Sequence, residues 1–147
     1  IVKKNGVYYL YYFGRYAPDY RIGLATSTDG INFTRFAGNP IITNTAGWEG
    51  TGVIYPAVIY DNAVFKMIYV NASGTGFGMA TSSDGFNWIK SGNNPFFTNQ
   101  NTSNNWAVTK IAFPHWLKLH NETRIYYSGI AINSDHHRIG MMKRNNN

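Results

Sequence analysis

One motif is written twice in this chain, and that repetition narrows the fold more than any other feature. The run Gly-Leu-Ala-Thr-Ser-Thr-Asp-Gly-Ile-Asn-Phe at residues 23–33 returns as Gly-Met-Ala-Thr-Ser-Ser-Asp-Gly-Phe-Asn-Trp at residues 78–88, a shift from 23 to 78, or 55 positions. The shift holds from Asn39-Pro40 to Asn94-Pro95, then becomes 58 as Trp48 and Pro56 recur as Trp106 and Pro114. Arg21-Ile22-Gly23-Leu24 reappears as Arg138-Ile139-Gly140-Met141. The aromatic run Tyr11-Tyr12-Phe13-Gly14 corresponds to Ile68-Tyr69-Val70-Asn71 and to Tyr126-Tyr127-Ser128-Gly129. Small slips of this kind belong in loops, so the chain reads as stacked copies of one supersecondary unit.

Each unit reads as strands. No stretch keeps a 3.6-residue apolar period for three turns, so almost no helix is expected. Aromatics reach 16 % of the residues, a bias towards pleated, half-buried surfaces. In the second unit, strands are expected over residues 53–60 and 64–70, joined by Asp61-Asn62. Two more follow over 77–82 and 86–90, joined by Asp84-Gly85, a dipeptide that accepts the positive φ of a tight turn. Counted this way, the units hold three, four and three strands. The pattern is that of β-propeller blades. The expected fold class is all-β: four-stranded antiparallel blades forming a partial propeller, in units of approximately 1–47, 48–105 and 106–147. An open arc leaves apolar blade faces in water. The expected partners are therefore the remaining blades of a parent chain, with self-association as the less favoured remedy; the start at Ile1 is read the same way.

Composition removes several chemistries. There are no cysteines, which excludes disulfides, thiolate metal sites and cysteine nucleophiles. The net charge of +6 is spread along the chain instead of clustered, so no nucleic-acid partner is expected. No apolar run approaches the roughly 20 residues of a membrane span, and no membrane partner is expected. No nucleophile elbow, phosphate loop or His-Glu-x-x-His motif occurs, and no cofactor is expected. The glycine-rich residues 74–78 read as a flexible hairpin.

The aromatic strand Tyr-Tyr-Leu-Tyr-Tyr-Phe-Gly at 8–14, the hairpin at 21–33 and Asn-Pro-Ile-Ile at 39–42 together resemble blades of the five-bladed propeller glycosidases. These include the arabinanase and β-xylosidase group, the invertase and levansucrase group, and the mannoside phosphorylase group. The resemblance covers nearly the whole chain. It implies a carbohydrate-active protein that cleaves or transfers glycosidic bonds of a neutral oligo- or polysaccharide, in an extracellular or cell-surface setting. In those families the catalytic acids sit on the first, channel-lining strand of different blades, often directly before a proline. The matching positions here are Tyr55 and Phe113, and neither is an acid. A second reading therefore stays open: a non-catalytic propeller module for carbohydrate binding or structural assembly.

Glycosidic hydrolysis uses two carboxyl groups flanking the scissile bond. Of the seven acids, Asp29, Asp61 and Asp84 belong to turns, and Asp19 and Glu122 to exposed loops. Glu49 is the catalytic candidate, because it follows Trp48 in the loop before a first strand and its repeat partner is Ala107. Trp48 and Trp106 repeat, which suits packing, and their faces also suit a sugar ring. Tyr55 belongs to the channel strand, and His115 stands where the other unit has Ala57. The expected site is thus Glu49 as acid, with Trp48, Tyr55, Trp106 and His115 along the sugar path. Asp135-His136-His137 is assigned no metal, since neighbours in a strand point to opposite faces.

Overall fold

The computed structural model describes residues 1–103, 106–131 and 136–145. It contains three antiparallel sheets in chain order. The first is β1 (Val2–Lys4), β2 (Val7–Tyr16), β3 (Asp19–Ser27) and β4 (Thr34–Arg35), adjacent in that order. The second is β5 (Val53–Asp61), β6 (Val64–Asn71), β7 (Gly76–Ser82) and β8 (Ile89–Lys90), with β9 (Phe97–Thr98) also pairing with β7. The third is β10 (Lys110–Lys118), β11 (Glu122–Ile130) and β12 (His137–Asn145). The all-β partial propeller expected from the repeat is the fold observed.

The first and second sheets each have one strand more than expected, β1 and β9. Lys3 and Lys4 hid β1, because their stems and ammonium groups cover aromatic faces where apolar residues would normally stand. Lys3 Nζ lies 4.5 Å from the Tyr8 ring centroid and Lys4 Nζ 4.6 Å from that of Tyr60. The residues 74–78 are braced. The Asn71 carboxamide accepts hydrogen bonds from the amides of Thr75 and Gly76, and donates to the Trp48 carbonyl.

The middle sheet is buried on both faces, and β6 shows how. Phe65, Met67 and Tyr69 point to one side and join Tyr9, Tyr11, Ile22 and Leu24 of the first sheet. Ile68 and Val70 point to the other and join Ile111, Ile125 and Tyr127 of the third. The period of two in a strand allocates the residues.

A cross-strand tyrosine–glycine pair recurs in all three sheets: Tyr12 opposite Gly23, Tyr69 opposite Gly78 and Tyr127 opposite Gly140. Each ring covers the glycine, and a Cβ at Gly78 would meet the Tyr69 ring at 2.3 Å. The Asn-Pro motif completes the unit. Asn94 accepts from the Met79 amide and donates to the Met79 carbonyl and to the Tyr69 hydroxyl at 3.1 Å; Asn39 does the same for Leu24 and Tyr12. The repeated residues are therefore those that hold the third strand and the following loop against the second.

The Ser-x-Asp-Gly-x-Asn hairpins are equally local. Asp84 Oδ1 accepts from the amides of Phe86 and Asn87, Oδ2 accepts from the Asn87 side chain, and Ser82 Oγ accepts from the Gly85 amide. Gly85 supplies the turn's positive φ of 86°. Asp29 makes the corresponding bonds in the first sheet. The Asn87 amide and side chain hold the Asp84 carboxyl well below the usual carboxylate range, and the Asn32 side chain and amide do so for Asp29.

Unfolded aspartates ionise near pH 3.9, about where their stabilisation should begin to fade as the pH falls towards the lower native values. Urea midpoints should therefore hold steady from pH 7 to about pH 5 and drop between about pH 4 and pH 2. Asp84→Asn should cost about 1 kcal/mol at pH 7 and flatten that acid slope. An unchanged slope in the variant would show that the turn carboxylates do not govern acid stability.

Candidate functional site: an aromatic platform at the inner edge of the sheets

The first strands β5 and β10 lie beside one another, and β5 also contacts β2. Both first strands break register at the same place. Pairing jumps from Ile54 to Ala57 in β5 and from Ala112 to His115 in β10. The skipped residues are Tyr55-Pro56 and Phe113-Pro114. Proline has no amide to give to the ladder, so a bulge forms there. Tyr55 and Phe113 take left-handed backbone conformations, with φ of 52° and 51°. For a bulky side chain this costs about 1–2 kcal/mol each, and such strain concentrates at functional positions.

The strained residues line a cavity of about 490 Å³ together with Tyr11, Tyr12, Phe13 and His115. The Tyr55 ring lies 4.2 Å from the Phe113 centroid and 5.0 Å from that of Phe13. Phe113 is 53 % exposed and Phe13 39 % exposed, so the aromatic surface is open to a ligand. No aspartate or glutamate lines the cavity among the described residues. The site offers apolar faces, tyrosine hydroxyls and an imidazole, a set suited to a polar ring with one apolar face.

Two of the five expected residues, Tyr55 and His115, meet here. Phe113 and Phe13 join them, although sequence reasoning left both off its site; the proline after Phe113 was the available signal. The other three lie elsewhere. Trp48 stacks on Tyr69 with centroids 5.9 Å apart, and Trp106 stacks on Tyr127 at 5.9 Å. Their rings also cover Gly76, and Gly129 with Gly140, in turn. Both tryptophan rings pack within their own sheets, away from the cavity.

Glu49 closes a 3-10 turn (Gly47–Glu49), and its side chain is fully buried. Lys90 Nζ donates to both carboxylate oxygens, at 2.6 and 2.7 Å. The Tyr69 hydroxyl donates to Oε1 at 2.8 Å, and the amides of Thr45 and Ala46 donate to Oε2. Burial opposes ionisation, but the bonds from Lys90, Ala46, Thr45 and Tyr69 together outweigh it, and the carboxyl is held below its ordinary value. A general acid needs the reverse, a proton retained near neutral pH. The structure thus sets Glu49 apart from the aromatic cavity and fills its oxygens with protein donors.

No family model matches the chain, and no curated protein matches it in sequence. Solved structures do match in fold. A Bombyx mori glycoside hydrolase family 32 β-fructofuranosidase, determined as a mutant with sucrose, is 18 % identical with a TM-score of 0.71, over 95 % of this chain and 32 % of that one. A thermostable family-43 glycoside hydrolase is 17 % identical with a TM-score of 0.67, over 95 % of this chain and 47 % of that one. A member of the GH130 mannoside phosphorylase family, which contains hydrolases of β-1,2 mannosidic linkages in Candida mannan, is 19 % identical with a TM-score of 0.60, over 86 % of this chain and 41 % of that one. The chain spans less than half of the length of each of these structures. What these likenesses show is the fold: the chain is part of an all-β propeller of antiparallel sheets.

The Glu49–Lys90 pair gives a direct test of its role. Lys90→Met should cost about 3 kcal/mol in urea unfolding, because it strands a buried carboxylate. Combining it with Glu49→Met should recover part of that loss, as a double-mutant cycle would show. Additive losses would mean that the two side chains do not act as a pair.

Proposed function

We propose that this chain is the carbohydrate-binding part of a glycoside hydrolase-like propeller, and that a neutral oligo- or polysaccharide lies across Tyr55, Phe113 and Phe13 with His115 at its polar edge. The observation that carries this reading is the pair of strained aromatic residues before Pro56 and Pro114, both turned into one open cavity. Both residues keep an unfavourable backbone conformation, and Phe113 leaves about half of its surface exposed. The likeness to carbohydrate-active propellers supports the same ligand class.

Cleavage or transfer of a glycosidic bond would need carboxyl groups that this cavity lacks among the described residues. In this reading they come from blades outside this chain, and Glu49 is a structural residue of the middle sheet. The alternative is a module that binds sugar without cleaving it. The aromatic residues at both pre-proline positions favour that second reading, and activity measurements on the whole protein separate the two.

Calorimetric titration with a panel of neutral oligosaccharides should show saturable binding, weakened at least about tenfold by Tyr55→Ala, which corresponds to about 1.4 kcal/mol. Tyr55→Gly should lose binding equally yet be more stable than Tyr55→Ala by about 1 kcal/mol, because glycine accepts the positive φ. Binding indifferent to both substitutions would remove the platform. Hydrolysis of any of these sugars that Glu49→Gln abolishes without lowering stability would return Glu49 to the chemistry.

A further inference from the structure

A second cavity, of about 270 Å³, adjoins the platform and shares Tyr55 and Phe113 with it. Its polar lining is Lys110, Ser128 and His137, and Ile54, Ala112 and Ile130 contribute apolar wall. The sheet register explains why these three polar residues converge. Lys110 and His137 flank Ile130 from the two neighbouring strands. Ser128 lies two residues from Ile130 in β11 and therefore on the same face. Lys110 rests its stem against the turn at Gly74, where an added Cβ would come within 3.2 Å of Lys110 Cγ.

The three side chains present one kind of chemistry. Ser128 Oγ and His137 Nδ1 are 3.0 Å apart, so one hydrogen bond orients both the hydroxyl and the ring. The cavity thus combines an ammonium group, an imidazole and a hydroxyl, and no carboxylate lines it among the described residues. The described acids are engaged elsewhere. Glu49 is held by Lys90, Asp61 by Lys66 and Lys118, Glu122 by Arg124 and Asp19 by Arg21, while Asp29 and Asp84 serve their own turns. A cationic, hydrogen-bond-donating cavity with apolar walls is electrostatically complementary to a compact anion on an otherwise uncharged ligand.

We propose that this cavity binds an oxyanion, either the carboxylate of an acidic sugar or a phosphate group, through Lys110, Ser128 and His137. The site does not depend on the neutral-sugar reading, because its charged and hydroxyl groups are not part of the platform. It adds a class of ligand that an aromatic surface alone would not select.

Titration of the protein with sodium glucuronate, inorganic phosphate and glucose, at constant ionic strength, tests the site. Saturable binding is expected for at least one of the two anions, and the anion that binds more tightly identifies the source of the charge. Lys110→Met, which keeps the stem, and Ser128→Ala should each weaken that binding at least about fivefold. Lys3→Met, which removes one charge from the first sheet, should leave it unchanged. Thermal unfolding of each variant establishes that it is folded, and Ser128→Ala carries the test if Lys110→Met is not. Absence of saturation with both anions would overturn the proposal, as would a loss in Lys3→Met equal to that in Lys110→Met. Anion binding that persists when neutral sugars fail to bind would leave this site standing while the platform reading falls.

Discussion

The hydroxyl of Tyr69 is the point at which the middle sheet is tied together. Its ring lies on Gly78 of the next strand, and its oxygen accepts from Asn94 and donates to Glu49, which in turn holds Lys90. Burial first, and then the bond to Glu49, push this hydroxyl far above the usual tyrosine range, so it stays a donor. Strand β7, the loop after β8 and the turn before β5 all meet on one side chain. Its counterpart Tyr12 lies on Gly23 and accepts from Asn39, and Tyr127 lies on Gly140.

The same tyrosines sit opposite the bulges. Pairing resumes at Ala57 with Ile68, after Ile54 with Val70, so Tyr69 faces the two residues Tyr55 and Pro56. Tyr127 faces Phe113 and Pro114 in the same way. A rigid, fully anchored second strand is what allows the first strand to hold a left-handed aromatic residue without collapsing back into register. Anchoring and strain are thus two sides of one construction. The tyrosine–glycine pair recurs in all three sheets, and the asparagine bond to the tyrosine hydroxyl in the first two. Here the residue before the proline is aromatic in both β5 and β10.

The repeated features were legible because they recur: glycine 23, 78 and 140, asparagine 39 and 94, and the paired aspartate turns announced the strands and their order. Strand β1 was missed because Lys3 and Lys4 do their packing with methylene stems and cation–π contact. The surroundings of Glu49 could not be read locally, because its partners Tyr69 and Lys90 come from distant strands that no local pattern connects to it. Tyr55 could be placed on the inner strand from Pro56, while its left-handed backbone could not, since neither composition nor period encodes φ. The Lys110, Ser128 and His137 cluster depends on the register of three strands and left no mark in sequence spacing.

The central claim is that the strained pre-proline aromatics form the ligand surface. A crystal structure of the protein soaked with a neutral oligosaccharide tests it most directly. The expected result is a sugar ring stacked on Tyr55 or Phe113 beside His115, with both residues keeping their positive φ. A sugar bound against Trp48 or Trp106, or Tyr55 found in an ordinary extended conformation with the cavity empty, would contradict it.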